Sequence, residues 1–135
     1  MRCVALSALL LLAACPRGGR GNDCNDDRQC DGQVCARDNS CTDASGVREV
    51  KTTWTIGGEP ANATSCADRD LYIVFQTDDS SDDLNFSPVP CATGQFVIDK
   101  LPTRYSRIEL GLAAGGAFDS GAIDAANMVA LDLQF

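Results

Sequence analysis

Apolar and polar side chains alternate along the segment Val50-Lys51-Thr52-Thr53-Trp54-Thr55-Ile56. Successive side chains of a β-strand point to opposite faces, so this alternation predicts a strand that carries Trp54 on its buried face. The residues Gly57-Gly58-Glu59-Pro60 that follow are typical of a turn, and they end the predicted strand. The segment therefore predicts one strand of a half-buried sheet.

Further segments downstream carry the same signal. Apolar side chains recur at alternate positions within residues 71–75, 96–98, 108–112 and 129–135. In the first of these, Tyr72 and Val74 make the second face apolar as well, which predicts a central strand. Shorter pieces at 84–86 and 117–123 bring the expected count to about seven strands.

A second sheet is the expected cover for these strands. No convincing amphipathic helix is available, since residues 113–126 contain too many glycines, and an alternating strand needs one face buried. The sequence therefore predicts an all-β chain, with an antiparallel, immunoglobulin-like or transthyretin-like β-sandwich over residues 47–135.

Six cysteines lie downstream of residue 23, namely Cys24, Cys30, Cys35, Cys41, Cys66 and Cys91. An even set of this kind in an exported protein predicts three structural disulfides. Zinc sites usually show Cys-x-x-Cys pairs or histidines, and this chain has neither. We therefore assign the six cysteines to disulfides and predict no metal ligand among them.

The first four cysteines define a disulfide-stapled cysteine-rich module at residues 24–41. Apart from Val34 this segment has hardly an apolar side chain, so it cannot fold on hydrophobic burial alone. Four cysteines allow three connectivities. We favour Cys24 with Cys35 and Cys30 with Cys41, because interleaved bonds cross-link the whole segment.

The remaining two cysteines fall inside the predicted sandwich. A bond between Cys66 and Cys91 would close a loop of about 25 residues and would stabilise the fold by roughly 3 kcal/mol. Of the three disulfides, this is the one that the sequence predicts most strongly.

The N-terminal residues combine a basic Arg2, an apolar run at 4–12 and the motif Leu12-Ala13-Ala14-Cys15. A span needs about 20 apolar residues, so the run is too short to cross a bilayer. The pattern resembles a bacterial lipoprotein signal peptide, and a plain secretory signal is the alternative. The resemblance implies a signal peptide at 1–14, cleavage between Ala14 and Cys15, and a lipidated Cys15 that bears a diacylglyceryl thioether and an acylated amino group.

The residues after the cleavage point bear on location. Pro16 stands where an Asp would retain a Gram-negative lipoprotein in the inner membrane, so the resemblance implies lipid anchoring at the outer membrane, with the face left open. Residues 15–23 are rich in glycine and arginine and predict a flexible tether.

Two further resemblances concern the body of the chain. The spacing from Cys24 through Gly32 to Cys41 resembles the short modules of myxobacterial surface lipoproteins, which are similar to the Dickkopf N-terminal region. The segments 54–61, 90–98 and 101–105, together with Cys66, resemble the β-sandwich domain of such lipoproteins, in the style of carboxypeptidase-regulatory and transthyretin-like repeats. These resemblances imply folds and no catalytic signature.

Composition excludes several function classes. The formal net charge is −8, and it becomes −9 without residues 1–14, which hold one of the eleven basic residues. An acidic chain is repelled by nucleic acid and by anionic headgroups, so we expect no nucleic-acid partner and a membrane contact made through lipid. The chain has no histidine and no glycine-rich phosphate loop, so we expect no enzyme activity and no cofactor.

An acidic run poses the question of calcium. Weak candidates for ligands are Asp78, Asp79, Asp82 and Asp83. Their spacing does not match a calcium loop, so an exposed turn is the favoured interpretation. The sequence thus predicts a non-catalytic, lipid-anchored envelope protein that binds an envelope protein or polysaccharide or acts structurally. A calcium-dependent adhesion or matrix component and a plain secreted cysteine-rich protein are the alternatives.

Overall fold

A computed structural model of the chain describes residues 24–135, which form ten strands and one helical turn. The strands are β1 Val34–Cys35, β2 Cys41–Thr42, β3 Val47–Ile56, β4 Glu59–Pro60, β5 Asp70–Thr77, β6 Asp83–Pro90, β7 Gln95–Pro102, β8 Tyr105–Leu112, β9 Phe118–Ala122 and β10 Met128–Leu133. The helical turn α1 spans Ala63–Cys66, and 3₁₀ turns lie at Asp27–Gln29, Ala44–Gly46 and Cys91–Thr93. None of these helical segments is long and apolar enough to cross a membrane.

Two four-stranded sheets form the sandwich. In the first, β3 pairs with β10 on one side and with β7 and the short β4 on the other; the second has the order β6-β5-β8-β9. The all-β prediction is confirmed. One pair departs from the expected antiparallel arrangement, because β10 runs parallel to β3. The chain crosses from β9, at the edge of one sheet, to β10 at the edge of the other, where β10 runs in the same direction as β3.

The core lies between the two sheets and follows the alternation in the sequence. The buried apolar residues include Val50, Trp54 and Ile56 from β3, Leu71, Ile73 and Phe75 from β5, and Ile108 and Leu110 from β8. Strand β5 lies between β6 and β8, so its predicted central position is confirmed. Burial of each large side chain contributes roughly 1.5 to 3 kcal/mol, which makes this layer the main source of stability.

The last strand is shorter than predicted. Strand β10 ends at Leu133, and Phe135 is 42% exposed instead of continuing the buried row. The guanidinium of Arg69 lies 4.6 Å from the centre of the Phe135 ring. A cation over an aromatic face is favourable even at an exposed site, so this contact holds the terminal ring at the surface.

The end of the sandwich near Ile56 is closed by a disulfide between Cys66 and Cys91, whose Cα atoms lie 5.7 Å apart. Helical turn α1 supplies Cys66 and is capped by Asn62, which accepts hydrogen bonds from the amides of Thr64 and Ser65. The indole of buried Trp54 donates to the carbonyl of Cys91 over 2.8 Å. The bond joins the segment before β5 to the segment before β7, as the sequence predicts.

The cysteine module, residues 24–41, lies at the opposite end of the sandwich. Its disulfides are Cys24–Cys35 and Cys30–Cys41, with Cα separations of 5.8 and 5.4 Å. This is the connectivity favoured from the sequence. Buried Cys24, Cys30 and Cys35 form a core of their own, while Val34 is only half-buried. The module is therefore held together mainly by its covalent bonds.

Candidate binding cleft

The cysteine module is fixed to the sandwich at the end of β7. The backbone amide of Arg37 donates to the carbonyl of Lys100 over 3.1 Å. Lys100 Nζ donates to both carboxylate oxygens of Asp27 over 2.8 Å, and Arg37 Nε donates to Asp99 over 2.7 Å. One backbone hydrogen bond and two ion pairs thus join the cysteine module to the sandwich, which the sequence predicts as separate domains.

A second set of contacts lies beside the first. The guanidinium of Arg104 contacts Asp38 of the module and donates to Asp82 over 2.9 Å. The hydroxyl of Tyr105 also donates to Asp82, over 2.8 Å, and its pKa is raised by burial and by this bond. Arg104 therefore bridges the module to the turn between β5 and β6.

An open cleft of about 400 Å³ lies where the module meets the sheet edge. It is lined by Asn25, Asp26, Asp27, Cys35, Ala36, Arg37, Asn39, Phe86 and Lys100, and we call it the junction cleft. Ligand sites in proteins are concave, commonly about 300 to 1,000 Å³ in volume, and often lie between domains. The junction cleft fits this description in its size and its location.

An aromatic ring forms one wall of the junction cleft. Phe86 comes from β6, and its ring centre lies 5.4 Å from that of Phe96 and 6.0 Å from that of buried Phe75. Strand β6 is an edge strand, so an inward-facing side chain on it is covered by the sheet on one side only. Phe86 is consequently half-buried and offers the uncovered part of its ring to the cleft.

Two asparagines of the module, Asn25 and Asn39, also line the junction cleft. Asn39 has a φ of 63°, a left-handed conformation that asparagine tolerates better than most residues. Its backbone amide donates to Ala36, and its carbonyl accepts from Cys24. Within residues 24–135, the side-chain amides of Asn25 and Asn39 make no hydrogen bond. Both amides are exposed and available to a ligand.

Every charged side chain that lines the junction cleft has a partner of opposite charge. Asp27 pairs with Lys100 and Arg37 with Asp99, while Asp26 pairs with Arg28 over 2.9 Å. Three carboxylates are thus paired with three basic groups, and the formal charge of these six side chains is zero. The whole chain, by contrast, has a formal charge of −8. The cleft is a locally neutral place on an acidic protein.

The carboxylates of the acidic run at residues 78–83 make hydrogen bonds and an ion pair within the protein and do not form a calcium site. Asp79 accepts bonds from the Ser81 and Thr77 hydroxyls and the Ser81 amide, which lower its pKa to about 2. Asp78 contacts the hydroxyl of Ser106, and Asp82 is held by Arg104. Asp83 is exposed at the start of β6. Within residues 24–135, no three carboxylates of the run come together, so the structure does not assemble the calcium candidates.

Three cysteine sulfurs do lie close together in the described part of the chain. The Sγ atoms of Cys24, Cys30 and Cys41 lie within 4.8 Å of one another. All three belong to disulfides, and a metal ligand would have to be a thiolate. The cluster is therefore part of the disulfide framework of the module.

Other predicted site residues fall outside the described part of the chain. These are Cys15, the cleavage position at Ala14 and the tether at 15–23. The first described residue, Cys24, donates its backbone amide to Asn39 beside the junction cleft. Any anchor upstream of Cys24 therefore reaches the protein at the module end of the sandwich.

The junction cleft itself was not found from the sequence. Phe86 lies in one of the short apolar pieces, and no pattern in the sequence marks Asn25 or Asn39. The available signal was charge, since a module rich in aspartate faces a segment with Lys100 and Arg104. The sequence does not show which oppositely charged residues form pairs when they lie far apart along the chain.

Comparisons of this chain with known protein families, with characterised proteins and with solved structures find no match. The assignment to an immunoglobulin-like or transthyretin-like group thus stays a prediction.

Docking of the cysteine module on the sandwich is expected to weaken at acid pH. Hydrogen bonds from Lys100 and from the Cys35 amide hold the pKa of Asp27 below its usual value, and the bond from Arg37 does the same for Asp99. Carboxylates with a lowered folded pKa stabilise above their unfolded value, and this contribution is lost as the pH falls through the folded pKa. We expect docking to be constant from pH 7 to about pH 5 and to weaken below about pH 4.

Hydrogen exchange at the Arg37 amide, corrected for the intrinsic rate, measures this docking directly. The matched control is the double variant D27N/D99N, in which these two carboxylates cannot titrate. Relative to the intrinsic rate, its Arg37 amide should change less between neutral and acid pH than that of the wild type, since only the contacts of Arg104 with Asp38 and Asp82 can still titrate. Equal acid sensitivity in the wild type and the double variant would show that other groups control docking.

Proposed function

We propose that this protein is a non-catalytic, lipid-anchored binding module of the Gram-negative cell envelope, held at the outer membrane through Cys15. The observation that carries the binding role is the junction cleft, which has an aromatic wall, two available amides and paired charges. Three disulfides suit an oxidising compartment outside the cytosol. The motif Leu12-Ala13-Ala14-Cys15 supports the anchor.

The anchor also fits the charge of the protein. A chain with nineteen acidic and eleven basic residues gains no affinity from anionic headgroups, so it needs lipid to stay at a membrane. One acyl chain binds only marginally, whereas two or more give a stable attachment. Acylation at both the sulfur and the amino group of Cys15 supplies that number.

Replacing Cys15 with alanine is expected to move the protein from the membrane fraction to the soluble exported fraction. The full chain is expressed in a Gram-negative host, and intact mass spectrometry is used to compare the mature products. The wild type should begin at Cys15 and carry added acyl mass, whereas C15A should carry none.

The control is Cys3→Ala, which removes a thiol within the predicted signal peptide and should leave anchoring unchanged. A wild-type chain with an unmodified thiol at Cys15 would contradict the proposal and leave a soluble secreted protein. Release of C3A from the membrane, to the same extent as C15A, would show that the fractionation reports general damage to export.

A further inference from the structure

The shape of the junction cleft limits the kind of ligand it can hold. Half-buried Phe86 of β6 lines it together with Asn25 and Asn39 of the module, whose side chains are exposed. An aromatic ring favours a flat apolar face, and an amide both donates and accepts hydrogen bonds. The complementary ligand has a ring with an apolar face and hydroxyl groups around its rim.

The charges limit the ligand further. A free lysine or arginine in the wall would favour an anion, and a free aspartate would favour a cation. Lys100 is already paired with Asp27 over 2.8 Å, and Arg37 is paired with Asp99. A charged ligand would compete with one of these pairs for its wall residue, whereas a neutral ligand leaves both pairs intact.

We propose that the junction cleft binds a neutral oligosaccharide, with one sugar ring against Phe86 and its hydroxyl groups on the amides of Asn25 and Asn39. This inference deepens the proposed function and rests on it, since it names the ligand class of the same cleft. The pairing of the wall charges selects against acidic polysaccharides, which the net negative charge of the protein also repels.

The test uses the full chain, labelled with ¹⁵N and purified in a zwitterionic detergent that has no sugar headgroup. Cellohexaose, chitohexaose and mannohexaose are titrated separately, and oligogalacturonate serves as the charged counterpart. We expect at least one neutral sugar to shift the side-chain amide resonances of Asn25 and Asn39. The affinity should change less than about twofold between low and high salt, because no charges are screened.

Three variants locate the ligand. F86L keeps an apolar side chain on β6 and removes the ring, and it should weaken binding about tenfold. N25A and N39G each remove one amide, and each should weaken binding by about two- to tenfold. Glycine is chosen at 39 because it accepts the positive φ. The control is F118A, which removes an aromatic side chain that is 63% exposed on β9, away from the cleft.

Several results would overturn the inference. Binding of oligogalacturonate alone would show that the wall pairs open for an anion. Neutral-sugar binding that survives F86L and is lost in F118A would place the ligand on the β9 face. Failure of all three neutral sugars to bind would refute the ligand class. None of these results touches the anchor, whose failure is seen separately as an unmodified Cys15.

Discussion

Replacement of the four module cysteines with alanine is expected to unfold residues 24–41 and leave the sandwich folded. Each of the two disulfides closes a loop of 11 residues, and each contributes about 3 kcal/mol in the chain-entropy account. The buried core of the module consists mainly of the cysteines themselves. The remaining side chains cannot replace that contribution, so the substituted segment should become an open chain.

Trypsin cleavage after Arg37 measures the unfolding of the module. In the folded chain this residue is fixed by the bond from its amide to Lys100 and by the pair with Asp99. Loss of one bond's contribution already corresponds to about a hundredfold rise in the open population, so cleavage should accelerate at least that much. Mass spectrometry after reduction identifies the fragments.

The same variant should shift the melting temperature of the sandwich only slightly. The pairs that join the module to the sandwich are partly exposed, and exposed ion pairs contribute little to stability. The matched control is the pair C66A/C91A, which leaves the module intact and should keep Arg37 protected. Slow cleavage in the module variant would mean that the docking contacts alone can fold residues 24–41.

Removal of the third disulfide is expected to destabilise the sandwich and to leave the module folded. The variant C66A/C91A opens a loop of 25 residues, which costs about 3 kcal/mol. For a domain the size of residues 47–135, a loss of this size lowers the melting temperature by about 12 to 24 °C. Both cysteines are almost fully buried, so their removal also loosens the packing around α1.

Trp54 is a suitable reporter for this measurement. It is 4% exposed, and its indole donates to the carbonyl of Cys91 over 2.8 Å, so its fluorescence reports the end of the sandwich where the disulfide lies. The control is C24A/C35A, which breaks a bond in the module and should change the melting of the sandwich little. A melting temperature of C66A/C91A within a few degrees of the wild type would contradict the prediction.

The strands were predictable because the alternation in sequence matches the geometry of a half-buried sheet. Val50, Trp54 and Ile56 are buried where their spacing places them, and β5 is central because Tyr72 and Val74 make it apolar on both faces. The parallel pairing of β10 with β3 was not predictable, since it depends on where the chain crosses between sheets. Alternation tells which face is buried and does not tell which strand lies alongside.

The residues of the junction cleft could not be predicted either, because local sequence patterns do not show which distant residues come together. Asp27 and Lys100 are 73 positions apart, and no local pattern links them. Phe86 lies in the cleft because β6 is an edge strand, a property of the whole sheet rather than of the segment. The cysteine pairs could be reasoned out because few combinations exist, whereas any of nineteen acids could have met any of eleven bases.

The interleaved disulfides of the module limit how far residues 24–41 can be extended. Without them, the chain from Cys24 to Cys41 could be pulled out to about 60 Å. With Cys24 bonded to Cys35 and Cys30 bonded to Cys41, the covalent path between the two ends of the module contains only about six residues and one disulfide, or about 26 Å. If Cys15 carries the proposed lipid anchor, tension between the bilayer and the sandwich would reach β3 through this short covalent path, and the module would lengthen little under load.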